Sequence, residues 1–205
     1  FKEIKAKESV VYDVCKRCVH LSNYKGTPYR MQYEYPETYK TVKEAKYYQD
    51  FYFALFPDIT QWHKDLCLAV DKTAFVRNPF NYIHRFHKVL DWEFIHGEWV
   101  WSFGADAKRL IAFGPQSTAV GILRRAAKRI AFEKKLLAFL RLFIHDSILG
   151  ESQRLHVDTH IADVVEEMRK PILQLPLDPT WEMGTYLAIG VEAKAGKSWG
   201  EMERI

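Results

Sequence analysis

The sequence is poor in the features that mark secreted, membrane-embedded or disordered chains. It holds three cysteines in 205 residues, an odd number and too few for a disulfide framework, which points to a reducing, intracellular setting. No apolar run reaches the roughly 20 residues of a membrane span. Phe1-Lys2-Glu3 offers neither an initiating Met nor the apolar core of a signal peptide. A cytoplasmic chain without membrane contact is expected, and the missing Met suggests a fragment or a processed polypeptide. Internal repeats, low-complexity linkers and a clean domain boundary are lacking too.

What is there is ample for burial: 48% hydrophobic residues, 15% of the chain aromatic. That suffices for one ordinary domain or two small lobes sharing a core. Thirty Lys and Arg against 26 Asp and Glu give a net charge of +4. This balance permits a polyanionic partner without demanding one.

Helical patterning opens the chain over Ser9 to Asn23 and stops at the breakers Tyr24-Lys25-Gly26-Thr27-Pro28. Thr41-x-x-Glu44 is a capping box ahead of the aromatic stripe from Tyr47 to Phe53, which reads as core packing. Pro57 breaks that run, and Asp58 is a cap candidate for a helix reaching about Asp71. From Thr73 to Trp101 β-branched and aromatic residues mix with Asn78-Pro79 and Gly97, predicting short strands and hairpins. Ala105 to Phe132 predicts one long helix, kinked or restarted near Pro115. Leu137 to Ile144, the polar His145-Asp146-Ser147 and Ile148-Leu149-Gly150 predict a hairpin with Asp146 at its turn. Asp158-Thr159 suits the cap of a helix to about Lys170, and Thr185 to Ala193 reads as a closing strand. The fold class expected is α+β, a helical lobe followed by a lobe with a small antiparallel sheet and long helices.

Four constellations carry chemical potential. Lys16, His20 and Tyr24, spaced by four, share one helical face beside Arg17 and could hold a triphosphate, or form an ordinary solvated basic face. Cys15-x-x-Cys18 with His63 and Cys67 has zinc-ligand types, but the pair falls within a helix where tight turns are usual, and no strand precedes it as a redox motif requires. His145-Asp146 could belong to a metal phosphohydrolase with His84 or His87 and Asp158 or Asp163. Such enzymes carry the pair on helices, whereas here it lies between strand-like runs. Finally, Arg109 to Ala119 leads into Arg124, Arg125, Lys128 and Arg129, a basic helix end suited to phosphate contacts, with Gln116 able to read base edges.

The order of these pieces resembles the C-terminal half of family A (polymerase I-like) DNA polymerases over nearly the whole chain. The matching landmarks are Lys16, His20 and Tyr24 on the fingers helix, then the aromatic segment from Tyr47 through Pro57 to Trp62. Pro115-Gln116-Ser117-Thr118-Ala119 follows, then Ile144-His145-Asp146-Ser147 with a closing Gly196-Lys197-Ser198-Trp199. The resemblance implies fingers-like residues 1–72 and palm-like residues 73–205. It implies a nucleotidyl transferase extending a DNA primer on a template, with Asp146 as a ligand of a two-ion Mg²⁺ site. Lys16 would hold the triphosphate of the dNTP, His20 would lie beside its sugar and Tyr24 near the nascent pair, while Gln116, His145, Arg109 and Arg77 would contact DNA.

The sequence departs from that family's pattern in defined places. Tyr12 stands where an Arg is usual, Leu21 and Lys25 where Gly is usual, and Ser147 where a second acid follows Asp146, with Glu151 further along the hairpin. The family's other metal-binding aspartate lies several tens of residues before the fingers helix, earlier than this sequence begins. The expectation is therefore a split polymerase of phage type, inactive alone, with a second polypeptide supplying thumb and remaining palm. The alternative is a non-catalytic nucleic-acid-binding or assembly module derived from a polymerase lobe.

Overall fold

A computed structural model describes residues 9–205. The fold is α+β, with antiparallel sheets of two strands each. The chain divides into two compact units: the described residues up to Val76 with Ile83–Gly114, and Arg77–Tyr82 with Pro115–Ile205.

In the first unit, α1 (Ser9–Asn23) has the predicted bounds. It is followed by α2 (Pro28–Glu34), which the sequence pattern does not announce. Thr27 and Pro28, breakers by residue type, are its start signal: the Thr27 hydroxyl accepts from the Arg30 N–H, and Pro28 occupies a first-turn position where no N–H is needed. Helix α3 (Val42–Leu55) is capped by Thr41, whose side chain accepts from the Glu44 N–H at 3.1 Å. The Glu44 carboxylate reaches back one residue beyond the cap, to the Lys40 N–H at 2.7 Å. Only part of the α3 aromatic stripe is core: Tyr52 is buried, whereas Tyr47 and Phe51 are exposed. Helix α4 (Pro57–Thr73) begins at Pro57 itself, so Asp58 lies in the first turn and not at the cap.

Two hydrophobic clusters hold this unit. Cys18, Leu21, Met31, Tyr39, Ala45 and Tyr52 join α1, α2 and α3. Cys67, Val70, Phe86, Val89, Leu90, Leu110 and Ile111 pack around α4. Strands β1 (Phe75–Arg77) and β2 (Ile83–Arg85) pair, as do β3 (Leu90–Ile95) and β4 (Glu98–Phe103). The β3–β4 turn uses His96 (φ 51) and Gly97 (φ 90), the left-handed pair that matches the twist of a two-residue hairpin loop.

Helix α5 (Ala107–Phe132) carries the chain into the second unit and runs through Pro115 as one helix. Strands β5 (Leu140–Ile144) and β6 (Ser147–Gly150) form the predicted hairpin. A 3₁₀ turn (Arg154–His156) leads into α6 (Val157–Arg169), which again places Asp158 in the first turn and not at the cap. The closing segment is more broken than predicted. Strand β7 (Ile172–Pro176) pairs with β8 (Tyr186–Leu187), and β9 (Lys194–Ala195) pairs with β10 (Glu203–Arg204).

The polar anchor of this unit is Glu167, 1% exposed. It accepts from Arg129 Nε at 2.9 Å and Lys170 Nζ at 2.5 Å, and its backbone carbonyl accepts from Arg129. Burial pushes its carboxyl pKa up, and the Lys170 and Arg129 hydrogen bonds outweigh that and hold it below the usual range.

Candidate functional site

In the first unit the candidate face is on α1. Four-residue spacing stacks Lys16 and His20 on successive turns, Tyr24 follows one residue past the last of the helix, and the helix turns Cys18, Leu21 and Ser22 into the core. Lys16 and His20 are exposed and Tyr24 is half-buried. The His20 ring meets Tyr24 edge to face, with centroids 5.0 Å apart. Lys16 Nζ lies 5.8 Å from the Tyr12 ring centroid. Arg17 is committed elsewhere, ion-paired with Glu37 at 2.5 Å, bonded to Thr38 and stacked 4.4 Å over Tyr35.

The C-terminal end of α1 is held by contacts that sequence spacing does not reveal. The Asn23 side chain accepts from the Tyr52 hydroxyl at 2.6 Å, and its carbonyl lies 2.9 Å from His63 Nε2. Lys25 takes a left-handed conformation (φ 57), and its ammonium sits 3.3 Å over the Phe103 ring. Burial lowers the Lys25 pKa. Gly26 allows a close pass, since a Cβ there would stand 2.8 Å from the Leu21 carbonyl oxygen. Tyr24 is thus carried on a helix end fixed from three sides.

In the second unit the β5–β6 register pairs Ile144 with Ser147, leaving His145 and Asp146 as the two turn residues. Both are exposed, and His145 has φ 51. The Ser147 hydroxyl donates to the Ile144 carbonyl at 2.8 Å, closing the turn. Glu151 is ion-paired with Arg141 at 2.9 Å. Asp146 is accordingly the one carboxylate this hairpin presents at its tip, with Ser147 and Glu151 engaged in holding the hairpin together.

Gln116 is exposed on α5, and Arg77 is exposed at the end of β1. Arg109 is exposed and pairs with Asp106 at 2.9 Å. Lys16, His20, Tyr24 and Arg109 therefore belong to the first unit, and Arg77, Gln116, His145 and Asp146 to the second.

The residues with metal-ligand chemistry meet a different environment. Cys15 is exposed, whereas Cys18 and Cys67 are buried, and all three are free thiols. Burial raises the pKa of Cys18 and of Cys67, disfavouring the thiolate a zinc site needs. His84 stacks on Phe113 with centroids 5.4 Å apart. Among the described residues no group of three or more His, Cys, Asp and Glu side chains gathers as a metal site. One exposed carboxylate beside a hydroxyl, as this hairpin tip offers, does not by itself make a two-ion Mg²⁺ site.

A shallow groove of about 350 Å³ lies in the second unit, lined by Ile161, Ala162 and Val165 of α6 with Val191 and Ala193. Asp158, one of the acids considered with His145-Asp146, lines it, together with Arg169, Glu192 and Arg204, whereas Lys16, His20, Tyr24, Gln116, His145 and Asp146 do not. Among the described residues no helix is long and apolar enough to cross a membrane. No protein-family model matches the chain, and no curated protein matches it either.

Proposed function

We propose that this chain carries the fingers and part of the palm of a DNA-templated DNA polymerase resembling family A, completed by a second segment that brings the other metal-binding aspartate. The observation that carries the reading is the setting of its two chemical groups. Lys16 and His20 share one face of α1, Tyr24 packs against His20 just past the helix end, and Asp146 stands at the exposed tip of a tight hairpin. An ammonium and an imidazole on successive turns, with a phenol packed beside them, offer charge to a triphosphate and flat surface to sugar and base. A carboxylate on a hairpin tip can approach a primer terminus without burying neighbouring backbone.

In this reading Lys16 neutralises the leaving phosphates, Tyr24 bounds the nascent pair, and Gln116 and His145 probe minor-groove acceptors common to correct pairs. Bound Mg²⁺ would supply charge neutralisation along the transferred phosphoryl group. Asp146 would give it one ligand, the others coming from the upstream segment. Ser147, standing where the resemblance expects a second acid, favours a second reading, in which the hairpin is purely structural and the chain is a nucleic-acid-binding module.

The test is primer extension with Mg²⁺ and dNTPs, using this chain mixed with a polypeptide bearing the family's thumb and first palm strand. Extension by the mixture, absent from either part, is expected, with Asp146→Asn reducing it to background. Extension that survives the Asp146→Asn change would sink the metal assignment. A mixture that binds primer-template yet never extends it would favour the binding module.

A further inference from the structure

Charge is segregated along the chain. Within the second unit, residues 77–82 and 115–132 contain Arg77, Arg124, Arg125, Lys128 and Arg129 and no Asp or Glu. Arg129 is committed to Glu167. Arg124, Arg125 and Lys128 are exposed, and none of them forms an ion pair among the described residues.

These three cations belong to a built surface. Ser117, Gly121, Arg124, Arg125 and Lys128 follow helical i, i+4, i+7 and i+8 spacing with one further turn, so they form one stripe of α5. The loop from Asn78 to Tyr82 lies along that stripe. Buried Asn78 accepts from the N–H groups of Phe80 at 2.9 Å and Tyr82 at 3.0 Å, and its amide donates to Ser117 Oγ at 3.0 Å. Gly121 admits the Phe80 ring, since a Cβ there would stand 2.2 Å from ring carbon Cδ2. The Arg125 guanidinium then lies 4.7 Å over Phe80 and that of Arg124 5.7 Å over Tyr82. An arginine stacked on a ring keeps its edge N–H donors available while losing rotamer freedom, which lowers the entropic cost of binding a phosphate.

We propose that Arg124, Arg125 and Lys128, supported by Phe80 and Tyr82, form a strip that binds the phosphodiester backbone of a nucleic acid. Exposed cations in a stripe offer counter-charges to a linear polyanion, and Tyr82, 41% exposed, leaves aromatic surface on which a base can stack. The strip rests on the nucleic-acid partner of the polymerase reading but not on Asp146.

The experiment is fluorescence anisotropy of a labelled primer-template against the whole chain, from about 50 to 200 mM salt. In the Arg124→Gln/Arg125→Gln/Lys128→Gln variant the slope of log affinity against log salt is expected to fall by about 2–3, at roughly 0.9 for each phosphate no longer neutralised. Tyr82→Leu keeps the charges, so weaker binding at an unchanged slope is expected. A triple variant with unchanged slope and unchanged thermal midpoint overturns the strip while leaving Asp146-dependent extension to stand or fall separately. Wild-type binding to anionic phosphatidylserine vesicles but not to DNA overturns it as well.

Discussion

His63 shows how a single residue couples the anchoring of the α1 end to pH. It is 4% exposed, and its Nε2 lies 2.9 Å from the Asn23 carbonyl, which requires that nitrogen to carry the proton and donate. Burial lowers its pKa, the Asn23 bond opposes this, and the nearby Lys25 charge assists it. The folded-state pKa is thus below the ordinary 6.5. The unfolded chain binds the extra proton first, so the contribution of neutral His63 is complete above pH 6.5 and is lost as pH falls through the lower folded value. Urea unfolding is expected to show wild-type stability decreasing from about pH 7.5 towards about pH 5. His63→Asn should be about 1–2 kcal/mol less stable at the upper end of that interval, yet flatter across it. Parallel curves for the two proteins would remove His63 as the titrating group. The residue type suits a zinc ligand, but its partner is a carbonyl forty residues away, which no spacing rule reaches.

At the scale of elements, the Phe80–Gly121 contact fixes how the 78–82 loop meets α5. Gly121→Ala would drive a methyl group into the Phe80 ring. Helix propensity favours Ala by up to about 1 kcal/mol, and overpacking a well-filled contact costs about 1–3 kcal/mol. Phe80 is 8% exposed and backed by Asn78, so the steric effect should win and the thermal midpoint should fall. A rise in midpoint would mean that the loop yields freely. Elements legible in the sequence are those whose signals are local: α1 by its periodicity and following breakers, α3 by its capping box, and the β5–β6 hairpin by two apolar runs around a polar turn. Where the chain depends on distant partners, local pattern misleads. Residues 185–193 look strand-like, but only Tyr186–Leu187 pairs as a strand, with β7, while Val191 and Ala193 accept single hydrogen bonds from Arg169 and Ile205. Thr27-Pro28 reads as an end because helix stops and starts share residue types, and only the Thr27–Arg30 bond tells them apart. In the candidate site the α1 face and the Asp146 turn are legible, being local patterns. Asn78 and the aromatic shelf under Arg124 and Arg125 are not, because their partners stand some forty residues away along the chain.

At the scale of the molecule the two units are stabilised by different means. The first has two clusters of large apolar side chains, including Met31, Tyr39, Leu110 and Ile111, each essentially inaccessible. The second buries fewer large side chains, Phe80, Leu123, Ile130 and Ile172, beside the small Ala126, Ala127 and Ala131 and the Glu167 ion network. Burying a large aliphatic side chain contributes about 1.5–3 kcal/mol, and alanine far less, so the second unit has less to resist local opening. Its last sheets are also the smallest: β9 and β10 are two residues each, and few backbone hydrogen bonds must break to free them. Native-state hydrogen exchange followed by mass spectrometry should therefore show a gradient. Peptides covering α3, α4 and the first turns of α5 are expected to exchange last, and those covering Lys194–Ala195 and Glu203–Arg204 first. Adding primer-template should slow exchange in the 78–82 loop if the arginine strip binds DNA, because ordering the backbone phosphates would hold that loop against α5. Exchange at β9–β10 as slow as in α4 would mean that the closing segment is supported by far more than its own two-residue pairings.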